Sequence, residues 1–277
     1  MKPTRARLAL SILALAFAGP LALNNTLNAQ TNPYDGMADV SVRPGWRAAD
    51  GSHIAALEIT LQPGWKTYWR APGDAGIPPL IIWANSRNIQ SVRINWPTPT
   101  VFDQNGMRSV GYREKLILPL TITLKNPAQA ADLSGRVQIG ICNQVCVPVE
   151  IGFNQPLGPT KTKADPKIAA ALADRPYSAT EAKVSNVTCR VTPSANGVFL
   201  VAQIKMPASG DEFVIIEPGD PAIWAGEATV TRQGQTLTAT SELAHSSGAA
   251  FALDRSAIRI TVLGKHHATD IRGCPAG

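Results

Sequence analysis

The sequence predicts an all-β protein made of two β-sandwich domains, and three observations carry that expectation. Short runs rich in β-branched and aromatic residues recur along the chain, clusters of Pro, Gly, Asn and Asp separate them, and a polar, proline-bearing stretch divides the chain in two. With 277 residues, 44% of them hydrophobic, the chain has enough apolar material for real cores.

At the N-terminus Lys2, Arg5 and Arg7 precede a mostly apolar run over 8–18, the order of segments with which a secretory signal begins. That run is short of the roughly 20 residues a membrane-spanning helix needs, and residues 27–29 end in the small side chain of Ala29. The reading is a cleaved signal peptide over 1–29 and a mature chain starting near Gln30, exported to the periplasm. No cysteine precedes Cys142, so a lipid-anchored N-terminal cysteine is not expected, and no later stretch is apolar for long enough to span a bilayer. Losing the three cations takes the formal net charge from +6 to +3, too weak and scattered for a nucleic-acid footprint.

The first domain is placed at 30–155. Strands are expected at 55–61, 80–83, 92–96, 116–124 and 136–141, with turn chemistry at Pro63 and Gly64, at Pro72 to Asp74, at Pro78 and Pro79, and at Asn105 and Gly106. Prolines 97, 99, 119 and 127 argue against long helices here, since each lacks a backbone donor. A linker with a short helix is placed at 156–180; the helix is expected over 166–173, capped by Asp165 and opened by Pro166. The second, smaller domain is placed at 181–277, with strands at 184–191, 198–206, 212–217, 228–232, 235–240 and 258–263 and a hairpin turn at Gln233 and Gly234.

Four cysteines in an exported chain allow three disulfide connectivities. Domain placement favours Cys142 with Cys146 and Cys189 with Cys274, because then no bridge crosses the linker. In the chain-entropy model the distant pair is worth about 4 to 5 kcal/mol and the close pair only about 2, which makes Cys189 and Cys274 the structural disulfide. Residues 143–145 must turn the chain for the close pair to meet, and a small, exposed ring is the more reducible kind. An inert local staple and thiolate binding of Cu(I) or zinc are the other readings of this pair. No His neighbours it and only three Met follow Met1, so no metal or cofactor is expected.

The residues around the pair add to this. The stretch GICNQVCVPVE at 140–150 resembles the active strands of the N-terminal periplasmic domain of DsbD-type thiol-disulfide interchange proteins, and more closely the ScsB-like branch associated with copper tolerance. WKTYWRAPGDAGIPP at 65–79, Trp96 and Pro97, Phe102, and GYREKLILP at 111–119 look like the same family's landmarks in the same order. The resemblance covers roughly 35–155; the second half is similar only in position and pattern. It implies an immunoglobulin-like sandwich in which Cys142 and Cys146 are catalytic, taking electrons from a membrane donor and passing them to thioredoxin-like periplasmic proteins. By analogy Cys146 is the exposed attacker, and the segment 102–107 is a cap that covers the pair with Phe102. The CxxxC spacing is narrower than the family's usual one, and neither a transmembrane electron-transfer domain nor a thioredoxin-like domain follows, so the reductant is expected from another protein. Tyr68, Trp69, Asp74 and Tyr112 are candidates for tuning a thiolate from the second shell, since a hydroxyl or carboxylate beside sulfur shifts its pKa. The alternative function is a non-catalytic interaction or copper-stress module in which both disulfides only stabilise the fold.

Overall fold

The structure, a computed structural model, describes residues 34, 36–104, 106–159 and 163–277; the signal peptide expected over 1–29 lies outside the described residues. The first half is a sandwich of two sheets. One sheet runs in the order β1 (Ala38–Arg47), β2 (His53–Leu61), β8 (Lys115–Leu124) and β5 (Ile89–Ile94). The other runs β10 (Cys146–Leu157), β9 (Ala131–Cys142), β3 (Lys66–Tyr68), β7 (Met107–Arg113) and β6 (Thr100–Gln104), with β4 (Leu80–Ile82) paired to β9. This is the all-β, immunoglobulin-like architecture expected.

The central strands read as apolar because both of their neighbours exclude water. β2 and β8 bury Ala55, Leu57, Ile59, Leu118, Leu120 and Ile122 against Leu133, Val137, Ile139 and Ile141 of β9, each large side chain contributing about 1.5 to 3 kcal/mol. β10 is an edge strand, which accommodates Pro148 and Pro156: an edge leaves one row of backbone groups unpaired, so a missing donor costs little there. It runs two residues past 155, to Leu157. β1 carries a bulge between Arg43 and Trp46 at which Gly45 takes a φ of +64°, a conformation that favours glycine.

α1 (Pro166–Ala173) has Asp165 as its N-cap, the side chain accepting from the backbone N–H of Lys167 and Ile168, with Pro166 at the first helical position. Asp165 also pairs with Arg43 of β1 at 2.6 Å, and Ile168 is fully buried, so the helix is packed on the first sandwich.

The second half is another two-sheet sandwich. One sheet is β11 (Tyr177–Ser178), β19 (Ala268–Arg272), β18 (Arg259–Leu263) and β14 (Phe213–Glu217); the other is β12 (Asn186–Pro193), β13 (Val198–Lys205), β17 (Thr236–His245) and β15 (Ile223–Ala225), with β16 (Thr229–Gln233) paired to β17. Gly234, at φ +58°, turns the β16–β17 hairpin. β11, β15 and β19 were not expected: two or three residues are too few to show a period, and 268–272 mixes polar and apolar side chains.

The two sandwiches share a continuous contact. Phe213 and Ile215 of β14, with Leu263 and Ala268, join the apolar cluster of the first sandwich. Arg70 binds Glu217 through two hydrogen bonds of 3.0 and 2.9 Å, and Arg108 pairs with Glu227 while lying over the Phe213 ring at 4.8 Å. A cleft of about 670 Å³ opens between residues 70–78 and residues 213–227. No helix among the described residues is long and apolar enough to cross a membrane.

Candidate functional site

β9 and β10 form a hairpin whose ladder ends with Cys142 directly opposite Cys146, and Asn143 donates its backbone N–H to Val145 across the turn at 3.1 Å. The two sulfurs form a disulfide. On the other side of β9 lies β3, in a register that sets Lys66 opposite Cys142 and Thr67 opposite Ile141; β7 then places Arg113 opposite Lys66 and Tyr112 opposite Thr67. Directly opposed residues share a face of a sheet. One face therefore carries Cys146, Cys142, Lys66, Tyr68 and Arg113. The other carries Ile141, Thr67 and Tyr112 into the sandwich core.

The exposed face is only partly wet. Cys142 is 2% exposed, whereas Cys146 at the edge strand is open to solvent. Tyr68 is buried, and its hydroxyl lies 3.2 Å from Cys146 Sγ and 3.4 Å from the Ala75 carbonyl oxygen, to which it donates. The segment 70–79 folds back over this face. Ile77 and the Tyr68 ring crowd the space above Gly140, where even a β-carbon would lie 2.7 Å from Ile77 Cβ.

Lys66 is the functional candidate that sequence reasoning did not single out. It is 4% exposed, donates to Ser109 Oγ at 3.0 Å, and holds its ammonium 4.9 Å from the centre of the Phe102 ring and 5.9 Å from that of Tyr68. Burial, followed by the nearby Arg113 guanidinium, pulls its pKa below the ordinary lysine value. Burial pushes the Tyr68 phenol the other way, up from its usual range. The signal was in the string WKTYWR: a lysine between aromatics at strand spacing must either leave the sheet or be buried in it.

The other expected site residues divide. Phe102 belongs to β6 and is buried, packed on Lys66 and on the Arg113 guanidinium at 4.6 Å; the 102–107 segment is thus the end of one strand, a turn and the start of the next, with Asn105 outside the described residues. Trp69 and Tyr112 do not belong to this shell. Both lie in the sandwich core, Trp69 fully buried and Tyr112 donating its hydroxyl to the Pro97 carbonyl at 2.9 Å, because alternation along β3 and β7 turns them to the opposite face from Tyr68 and Arg113. Asp74 is exposed on the turn of the covering segment and makes no hydrogen bond to the pair among the described residues.

The second disulfide is of another kind. Cys189 and Cys274 are joined, both about 1% exposed, inside the core of the second sandwich. The backbone around them is tied as well: Cys189 N–H donates to Pro275 O at 2.7 Å and Arg255 Nη1 to Cys189 O at 2.7 Å. No sulfur of this bridge is presented to a partner.

Residues 38–155 match the family model described as thiol:disulfide interchange protein DsbD, N-terminal. Among solved structures, the N-terminal periplasmic domain of ScsB from Proteus mirabilis superposes with a TM-score of 0.65 at 21% identity, over 89% of this chain and 97% of that one, so the likeness extends to the two-sandwich fold. No curated protein matches the chain. The sandwich that carries Cys142, Cys146, Lys66 and Tyr68 is thus the matched segment, and residues 38–155 belong to the DsbD N-terminal domain family.

Proposed function

We propose that this chain is a periplasmic thiol-disulfide interchange protein that passes reducing equivalents between protein partners through Cys142 and Cys146. The observation that carries the reading is the asymmetry of the pair: one sulfur is exposed at a sheet edge and the other is buried behind it, whereas Cys189 and Cys274 are both enclosed. Exchange needs one accessible thiolate and one neighbour within reach.

In the reduced protein Cys146 attacks a partner's disulfide. A bond forms between Cys146 Sγ and one partner sulfur, and the other partner sulfur leaves as a thiolate that takes up a proton. Cys142 then attacks Cys146 Sγ, the intramolecular disulfide closes, and the partner's first sulfur leaves. The partner disulfide gains two electrons and two protons, and the pair loses them. A membrane electron donor returns the pair to the dithiol through the same mixed-disulfide chemistry, and thioredoxin-like periplasmic proteins are the acceptors that fit.

Titration of the purified protein against a glutathione redox buffer, with the thiol state of each cysteine read by alkylation and mass spectrometry, tests this. The expected result is reversible reduction of Cys142 and Cys146 while Cys189–Cys274 stays closed and the fold persists. A pair that remains oxidised until the protein unfolds is a staple, and the function is then that of an interaction module.

A further inference from the structure

We infer that Lys66 is a positioning residue of the exchange reaction, its ammonium group facing Cys142 from the neighbouring strand and favouring the thiolate on that buried sulfur. This rests on the reading of Cys142 and Cys146 as an exchanging pair.

Three observations carry it. The ladder sets Lys66 opposite Cys142, so their β-carbons are about 4.5 to 5.5 Å apart on one face of the sheet. Cys142 is buried, and a buried thiol ionises poorly unless a positive charge stands near it. Lys66 is itself buried, in a setting made of the Ser109 hydroxyl, the Phe102 and Tyr68 rings and the like-charged Arg113, where keeping an ammonium is expensive unless something negative forms beside it. A thiolate on Cys142 is such a group. Tyr68 from the same strand, Arg113 from β7 and Cys146 from β10 are the other ionisable side chains on this face.

The consequence falls on the second half of the exchange. With Cys146 bonded to a partner sulfur, Cys142 must ionise before it attacks Cys146 Sγ; the Cys142–Cys146 bond forms, the bond to the partner breaks, and the partner sulfur departs as a thiolate. Lys66 moves no electrons and sets how much of Cys142 is in the reactive form. In the reverse direction, when a reductant attacks Cys146, Cys142 is the leaving thiolate, and a cation beside it speeds departure.

The test compares Lys66→Met with Lys66→Arg in the full chain. The thiolate absorbance of the reduced protein is followed against pH, and the mixed disulfide formed with glutathione disulfide is followed by mass spectrometry. In Lys66→Met the lower of the two thiol pKa values rises by about one unit or more and the mixed disulfide persists roughly tenfold longer near neutral pH, while Lys66→Arg, which keeps the charge, restores most of both effects. A folded Lys66→Met with an unchanged thiolate titration and an unchanged mixed-disulfide lifetime overturns the inference. Should Lys66→Met not fold, Lys66→Gln read against Lys66→Arg decides in the same way. If the wild-type pair itself never exchanges with glutathione disulfide, the functional reading fails first, and that failure is seen without any Lys66 variant.

Discussion

The Tyr68 hydroxyl stands 3.2 Å from Cys146 Sγ, joining a buried residue of an inner strand to the exposed sulfur of an edge strand. Burial keeps that phenol protonated well past neutral pH, so in the reduced protein it is available to donate to a Cys146 thiolate. Tyr68→Phe keeps the ring over Gly140 and removes only the donor. The expected outcome is a Cys146 thiol pKa up to about one unit higher and alkylation by iodoacetamide several-fold slower at neutral pH, with the melting temperature nearly unchanged. Alkylation at the wild-type rate refutes a role for the hydroxyl.

The two disulfides predict different stability losses. Cys189→Ala with Cys274→Ala opens a bridge 85 residues apart in sequence and should cost about 3 to 5 kcal/mol in urea unfolding. Cys142→Ala with Cys146→Ala opens one only 4 apart and should cost about 2 kcal/mol or less. Equal losses would contradict the division into a working pair and a structural one.

Arg70 and Glu217 couple the sandwiches through a bidentate pair whose side chains are 12% and 22% exposed. Removing one partner leaves the other charge partly enclosed, so Arg70→Gln and Glu217→Gln should each cost about 1 to 3 kcal/mol. Because the two changes remove the same interaction, the double variant should cost less than their sum. Strict additivity in denaturant unfolding would show that the pair carries no coupling.

His53 gives the fold a pH limit. It is buried, donates through Nε2 to the Pro44 carbonyl at 2.5 Å, and has its pKa pulled below the ordinary 6.5, chiefly by burial and further by Arg47. The unfolded chain therefore takes the proton before the folded one does. Its contribution to stability is complete above 6.5 and is lost as the pH falls from there toward the depressed folded-state value. His53→Gln should flatten the slope of stability against pH between about pH 8 and pH 5 relative to wild type. Parallel slopes for the two proteins would sink this account.

Much of the architecture was legible because it is local. The strand runs in β2 and β8, the turn at Gly234 and the cap-and-proline start of α1 all follow from side chains within a few residues of one another. The two prolines of β10 hid a strand, since proline speaks against pairing until the strand is known to lie at an edge.

By itself the sequence determined that two sandwiches form, that Cys142 and Cys146 lie within reach of each other, and that aromatic and basic residues accompany them. Only the tertiary structure decided which of those neighbours matter. In a strand, adjacent side chains point to opposite faces, so the string from Lys66 to Trp69 sends Lys66 and Tyr68 to the cysteines and Thr67 and Trp69 to the core, and the register that settles this is made by β7 and β9, far away in the chain. The grip of Glu217 on Arg70 is likewise a contact across 147 residues, which no local pattern encodes.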